Sequence, residues 1–169
     1  MFSKVHGLTL IEFIVALTVG IILLTVALPS FSSMYAYIRT DMSIRKIHQS
    51  IQLARNHAIV HGTRVTLCPI KGTRCSTNWL NKISIFIDTG EPRVINSGDT
   101  VIQTLSPFYA QDLIHVNRAA ISFQPDGLAA GSNGTVKYCA HNNLHAKAIV
   151  INRAGRSRVS TEAITCSDK

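Results

Sequence analysis

An α+β fold is predicted by three features of this 169-residue chain: a long helical pattern at the N-terminus, a run of short alternating apolar segments behind it, and turn-forming clusters between those segments. The helix comes first. "LTLIEFIVALTVGIILLTVAL", Leu8 to Leu28, carries one charge, Glu12, and as a helix reaches about 32 Å, enough to cross a bilayer. After Pro29 the pattern turns amphipathic. Ile47, Ile51, Ala54 and Ala58 recur at helical spacing, while Arg45, Lys46, Gln49, Gln52, Arg55 and Asn56 fall largely elsewhere on the wheel. Gly62 supplies a C-cap. One long helix from Leu8 to His61, bent near Pro29, is therefore expected, its first half in lipid or a filament core and its second half on a globular body.

The remainder reads as β. "RVTLCPI", "KISIFID", "AISFQ", "TVKYC" and "AIVIN" alternate apolar and polar residues, and "TVIQTL" and "DLIHV" are weaker candidates. "DTGEP", "NSGD", "PDG" and "AAGSNG" mark the turns between them. These predict an antiparallel sheet or pair of sheets packed on the amphipathic half-helix. "GLAAGSNG" reads as a mobile inter-strand loop, since it lacks the Lys and Ser/Thr of a phosphate loop.

The formal charge of +8 and pI of about 9.7 bias the surface toward polyanions such as nucleic acid or anionic headgroups. The bias is local. Gly127 to Thr161 contains no Asp or Glu but holds Lys137, Lys147, Arg153, Arg156 and Arg158. Four cysteines allow three disulfide pairings. The sequence-local pairs Cys68–Cys75 and Cys139–Cys166 are expected, which places the domain in an oxidising compartment.

No pattern for catalysis emerges: GxSxG, HExxH and a close carboxylate pair are all missing, so the chain reads as a non-enzyme with no cofactor. No CxxC or histidine-with-cysteine spacing suits zinc, and His57 and His61, four apart and able to share a helix face as metal ligands, have no carboxylate nearby. His57 and His61 read as exposed helix-end residues, His141 and His145 as a polar loop, and Trp79 as a core or lid residue rather than a base-stacking platform.

The stretch "NRAGRSRVS", Asn152 to Ser160, stands apart. In a strand–turn–strand setting Gly155 provides the positive φ of a tight turn, and Arg156 and Arg158, two apart on an extended chain, project to one side. Two guanidiniums so placed form a fork for phosphate oxygens. Arg153 before the turn and Lys147 at the start of the preceding strand would extend the stripe.

An uncleaved anchor, or a secretory signal cut near "SFSS", leaves Glu12 unexplained, because a carboxylate in a membrane helix costs about 2.5–3.5 kcal/mol. Gly7 followed by "LTLIE" resembles the type IV prepilin signal, although Leu8 stands where phenylalanine is usual. The resemblance implies cleavage after Gly7 by a prepilin peptidase, methylation of the new amino terminus at Leu8, and pairing of Glu12 with the amino terminus of a neighbouring subunit. "ISFQPDG", the glycine-rich loop, "TVKYC" and "AIVINRAGRSRV" resemble the FimT / pseudopilin H (GspH) minor pilins, whose fold is a long bent helix on an antiparallel sheet domain. In the FimT branch a GRxR motif is associated with DNA binding in natural transformation, and Gly155, Arg156 and Arg158 match it.

The resulting expectation is a leader over 1–7, a transmembrane or filament-core helix over 8–28, an amphipathic half-helix over 29–61 and a β-rich domain over 62–169. The protein would be a single-pass bacterial inner-membrane prepilin with a periplasmic domain, assembled into a pilus with other pilin subunits and gripping the DNA phosphate backbone through Arg156, Arg158, Gly155, Arg153 and Lys147. The alternative is an H-type pseudopilin serving assembly in a type II secretion system.

Overall fold

Ile44, Ile47, Ile51, Ala54 and Ala58 form one fully buried stripe along helix α1 (Leu10–His61), at spacings of three and four residues. The predicted stripe thus gains one residue, Ile44. The computed structural model describes residues 9–129, 131–141, 145–160 and 164–166, with side chains 26–30 left aside. Gly7 and Leu8, the expected cleavage and methylation site, lie outside the described residues, as does the side chain of Pro29 at the expected bend. The chain divides into two units, Met1–Tyr35 and Ala36–Lys169.

In the first unit, α1 opens with a reciprocal cap. The backbone N–H of Thr9 donates to Glu12 Oε2 (2.8 Å), and the Glu12 N–H donates to Thr9 Oγ1 (3.3 Å). This is a capping box written into the sequence as "TLIE". The Thr18 and Thr25 hydroxyls donate to the carbonyls of Val15 and Ile22, which satisfies them in an otherwise apolar run. Leu10, Ile11, Phe13, Ile22 and Leu23 are exposed on the isolated chain. Among the described residues no helix is long and apolar enough to cross a membrane, and both ends of the predicted 8–28 span lie outside the side-chain description.

In the second unit the stripe of α1 shares a core with two antiparallel sheets. The strands are β1 (Val65–Lys71), β2 (Arg74–Cys75), β3 (Ile83–Ile87), β4 (Val101–Leu105), β5 (Leu113–Val116), β6 (Ile121–Phe123), β7 (Gly134–Cys139), β8 (Ala146–Ile151) and β9 (Ser157–Val159). One sheet runs β2-β1-β3-β4, with β6 also paired to β1, and the other runs β5-β7-β8-β9. Leu67, Ile85, Ile121 and Phe123 from the first, and Val136, Tyr138, Ile149 and Ile151 from the second, meet the helix stripe. Both weaker strand candidates form, as β4 and β5. β2 escapes the sequence reading because it is only two residues long, sitting in a hairpin that Gly72 turns at φ +65°.

Both expected disulfides form. Cys68–Cys75 closes the β1–β2 hairpin, and Cys139–Cys166 ties the C-terminal segment to β7. Trp79 is buried, with its indole N–H donating to the Arg118 carbonyl (3.2 Å), so its faces are in the core and unavailable to a base. His57 and His61 stack at 5.2 Å, and His57 is half-buried rather than exposed.

The described residues of the glycine-rich loop, 127–129 and 131–134, are tied to their surroundings. Gln124 N–H donates to the Leu128 carbonyl, Ala129 N–H donates to the Arg153 carbonyl, and the buried Ser132 hydroxyl accepts from Ser122 N–H.

Candidate nucleic-acid interface

The β8–β9 hairpin presents the arginines. Ile151 pairs with Ser157, and the three residues Arg153, Ala154 and Gly155 turn the chain between Asn152 and Arg156. Gly155 N–H donates to the Asn152 carbonyl (3.0 Å), and Arg156 N–H donates to Asn152 Oδ1 (2.9 Å). Gly155 has φ +75°, the left-handed residue that closes a three-residue hairpin connection. Arg153, Arg156 and Arg158 are all exposed, and none enters an ion pair among the described residues.

Strand register decides which side each cation takes, because directly paired residues share a face. Arg158 pairs with Val150, and Lys137 pairs with Ala148, so both belong to the outer face of the sheet. Lys147, Ile149 and Ile151 alternate onto the inner face, toward α1. Lys147 therefore does not continue the stripe of Arg158. Its ammonium bonds Asp41 of α1, which also accepts from Arg45 Nε (2.6 Å), and it lies 5.4 Å from the Tyr37 ring centroid. Lys147 first, then Arg45, hold the Asp41 carboxyl below the usual carboxylate range.

The turn is held from both sides. Arg55 of α1 donates through Nε to the Gly127 carbonyl (3.1 Å) and through Nη2 to the Ala154 carbonyl (3.2 Å). One guanidinium thus joins the helix to the "PDG" turn and to the arginine turn. His48 Nε2 lies 3.2 Å from the Ser157 carbonyl on the same helix face. On the far side, Ala129 N–H reaches the Arg153 carbonyl. A polar recess lies between helix and turn, lined by Gln52, Arg55, Asn56, Gly155, Arg156 and Ser157. Sequence reasoning assigned Arg55 to the polar side of the helix and missed its role as a clamp.

A second polar cluster braces the sheet below. Asp112 is buried and accepts both prongs of Arg39 (2.8 and 2.9 Å), the Tyr138 hydroxyl (2.6 Å) and the His141 N–H (2.9 Å). Burial, joined by the Asp112 charge, pushes the Tyr138 phenol well above its ordinary range. This cluster is a brace, because every carboxylate oxygen is occupied from within the domain.

A helix laid along two small antiparallel sheets is a fold this chain shares with solved structures of minor pilins and pseudopilins. The fold is similar to the type IV minor pilin FimU of Pseudomonas aeruginosa, at 17% identity and TM-score 0.57, over 72% of this chain and 87% of that one. It is also similar to the minor pseudopilin EpsH from the type 2 secretion system of Vibrio cholerae, at 9% identity and TM-score 0.54, over 72% and 96% of the two chains. No curated protein matches in sequence. The family model of the type II transport protein GspH matches residues 43–155. The chain belongs to the GspH family. That match ends on Gly155, so Arg156 and Arg158 lie beyond it.

Proposed function

We propose that this protein is a minor type IV pilin that binds DNA through its β8–β9 turn and supports DNA uptake in natural transformation. The observation that carries the reading is the turn itself: Arg153, Arg156 and Arg158 are exposed, free of ion pairs among the described residues, and mounted on a backbone clamped by Arg55 and Ala129. A guanidinium offers paired donors to phosphate oxygens, and the clamped turn presents three of them without ordering a loose loop on binding. Among the described residues α1 is the one α-helix and its second half is packed on the sheets, so recognition is of backbone and independent of sequence. Three phosphate contacts give a log–log salt slope of about −3.

The same reading carries the N-terminal expectations. A prepilin peptidase cleaves after Gly7 and methylates Leu8, the apolar run anchors the subunit in the inner membrane, and Glu12 exchanges its bonds to Thr9 for the amino terminus of a neighbouring pilin. A carboxylate already satisfied by its own cap can wait in an apolar setting, where a bare charge would be costly.

The test is a deletion strain complemented with the wild-type chain or with Arg156→Gln/Arg158→Gln at equal abundance. Loss of transformation with piliation intact supports the reading, and wild-type transformation in the double variant overturns it. The GspH match favours a second reading, an assembly role in type II secretion. A secretion defect in the deletion strain, fully restored by the double variant, would select it.

A further inference from the structure

We propose that the recess between α1 and the β8–β9 turn is a second half of the binding site, in which the exposed side chains of Gln52 and Asn56 hold a DNA backbone phosphodiester together with Arg156. This rests on the DNA reading above and adds a helix to a site otherwise made of one turn. The recess contains no carboxylate: its lining is Gln52, Arg55, Asn56, Gly155, Arg156 and Ser157. Gln52 and Asn56 stand four residues apart on α1 and so lie one above the other on a single helix face. Each carries an amide NH2, two donors suited to phosphate oxygens. Among the described residues the Asn56 side chain has no hydrogen-bond partner, and that of Gln52 has only a long contact of 3.4 Å to His48 Nε2. Arg55 is the positioning residue. Its bonds to the Gly127 and Ala154 carbonyls set the distance between helix and turn, and they spend Nε and Nη2 on the scaffold.

The geometry also explains why position 155 is a glycine. A Cβ at Gly155 would fall 2.0 Å from the Gly127 carbonyl oxygen and 3.0 Å from Arg55 Nε. Only glycine lets the turn approach the helix closely enough for Arg156 and the two amides to line one recess.

The experiment uses the full-length protein in neutral detergent micelles and a fluorescently labelled 30-base-pair duplex, with affinity read by anisotropy at several salt concentrations. Gln52→Ala/Asn56→Ala removes the donors without changing charge, and alanine favours an exposed helix, so folding is preserved. The proposal expects roughly three- to tenfold weaker binding, in line with the ordinary net contribution of one exposed hydrogen bond, with the salt slope unchanged because no cation is lost. Binding within twofold of wild type, while Arg156→Gln/Arg158→Gln weakens it tenfold or more, overturns the recess and leaves the turn. Binding unaffected by either pair overturns the DNA reading as a whole. Arg55→Lys keeps the charge and cannot bridge both carbonyls. It should weaken binding by a similar factor, and full affinity in that variant would remove Arg55 from its positioning role.

Discussion

Gly155 and Gly127 face each other so closely that a Cβ on the first would lie 2.0 Å from the carbonyl oxygen of the second, the same oxygen that accepts from Arg55. Gly155→Ala therefore carries two penalties. The left-handed backbone costs about 1–2 kcal/mol, and the Gly127 carbonyl must move off Arg55. Gly131→Ala is the matched control, since Gly131 has the same φ of +75° and nothing within 4 Å of its Cβ position. Thermal unfolding should show Gly155→Ala losing several degrees more than Gly131→Ala, and DNA affinity should fall only in the former.

Asp112 sits at 0% exposure beneath four hydrogen bonds, two of them from Arg39. Removing one partner of a buried pair strands the other, at about 3–5 kcal/mol. Asp112→Ala should lower the free energy of unfolding by that amount in denaturant titrations. Arg39→Met/Asp112→Leu should recover part of the loss, because neither charge is then left buried alone.

The Asp41 carboxyl is held low by Lys147 and Arg45. A folded pKa below the unfolded one, about 3.9, stabilises the protein above that value and loses the contribution as pH falls through the folded pKa. The stability gap between wild type and Asp41→Asn should thus be constant from pH 5 to 7 and close below about pH 4. A gap unchanged down to pH 2 would show that the ion pair does not set the difference.

The two disulfides close loops of different length, with sequence separations of 7 and 27. Loop entropy gives about 2.5 kcal/mol for Cys68–Cys75 and about 3.5 kcal/mol for Cys139–Cys166. Replacing each pair by serine should rank the losses in that order by equilibrium unfolding. The shorter bridge is further backed up by the β1–β2 pairing of Ile70 with Cys75.

Much of the fold was legible because it rests on local periodicity. Ile47, Ile51, Ala54 and Ala58 announce a buried helix face, and Val65, Leu67, Ile83 and Ile85 announce strands, since burial on one face imposes the period. The arginine turn was legible too, for Gly155 needs its positive φ whatever surrounds it. What escaped depends on register and distance along the chain. Lys147 looked like a neighbour of Arg158, but only the pairing of Val150 with Arg158 reveals that the two lie on opposite faces. Arg55 reaches carbonyls 72 and 99 residues away, and no spacing rule connects a helix arginine to them. The bond from Ala129 N–H to the Arg153 carbonyl is equally non-local.

If Arg156 and Arg158 grip phosphate, the salt dependence of DNA binding must carry their two contacts. Affinity of the full-length protein for a labelled duplex, measured from about 50 to 200 mM salt, should fall tenfold or more in Arg156→Gln/Arg158→Gln. The log–log slope should become shallower by about 2, close to 0.9 for each contact removed. An unchanged affinity and an unchanged slope would contradict that grip.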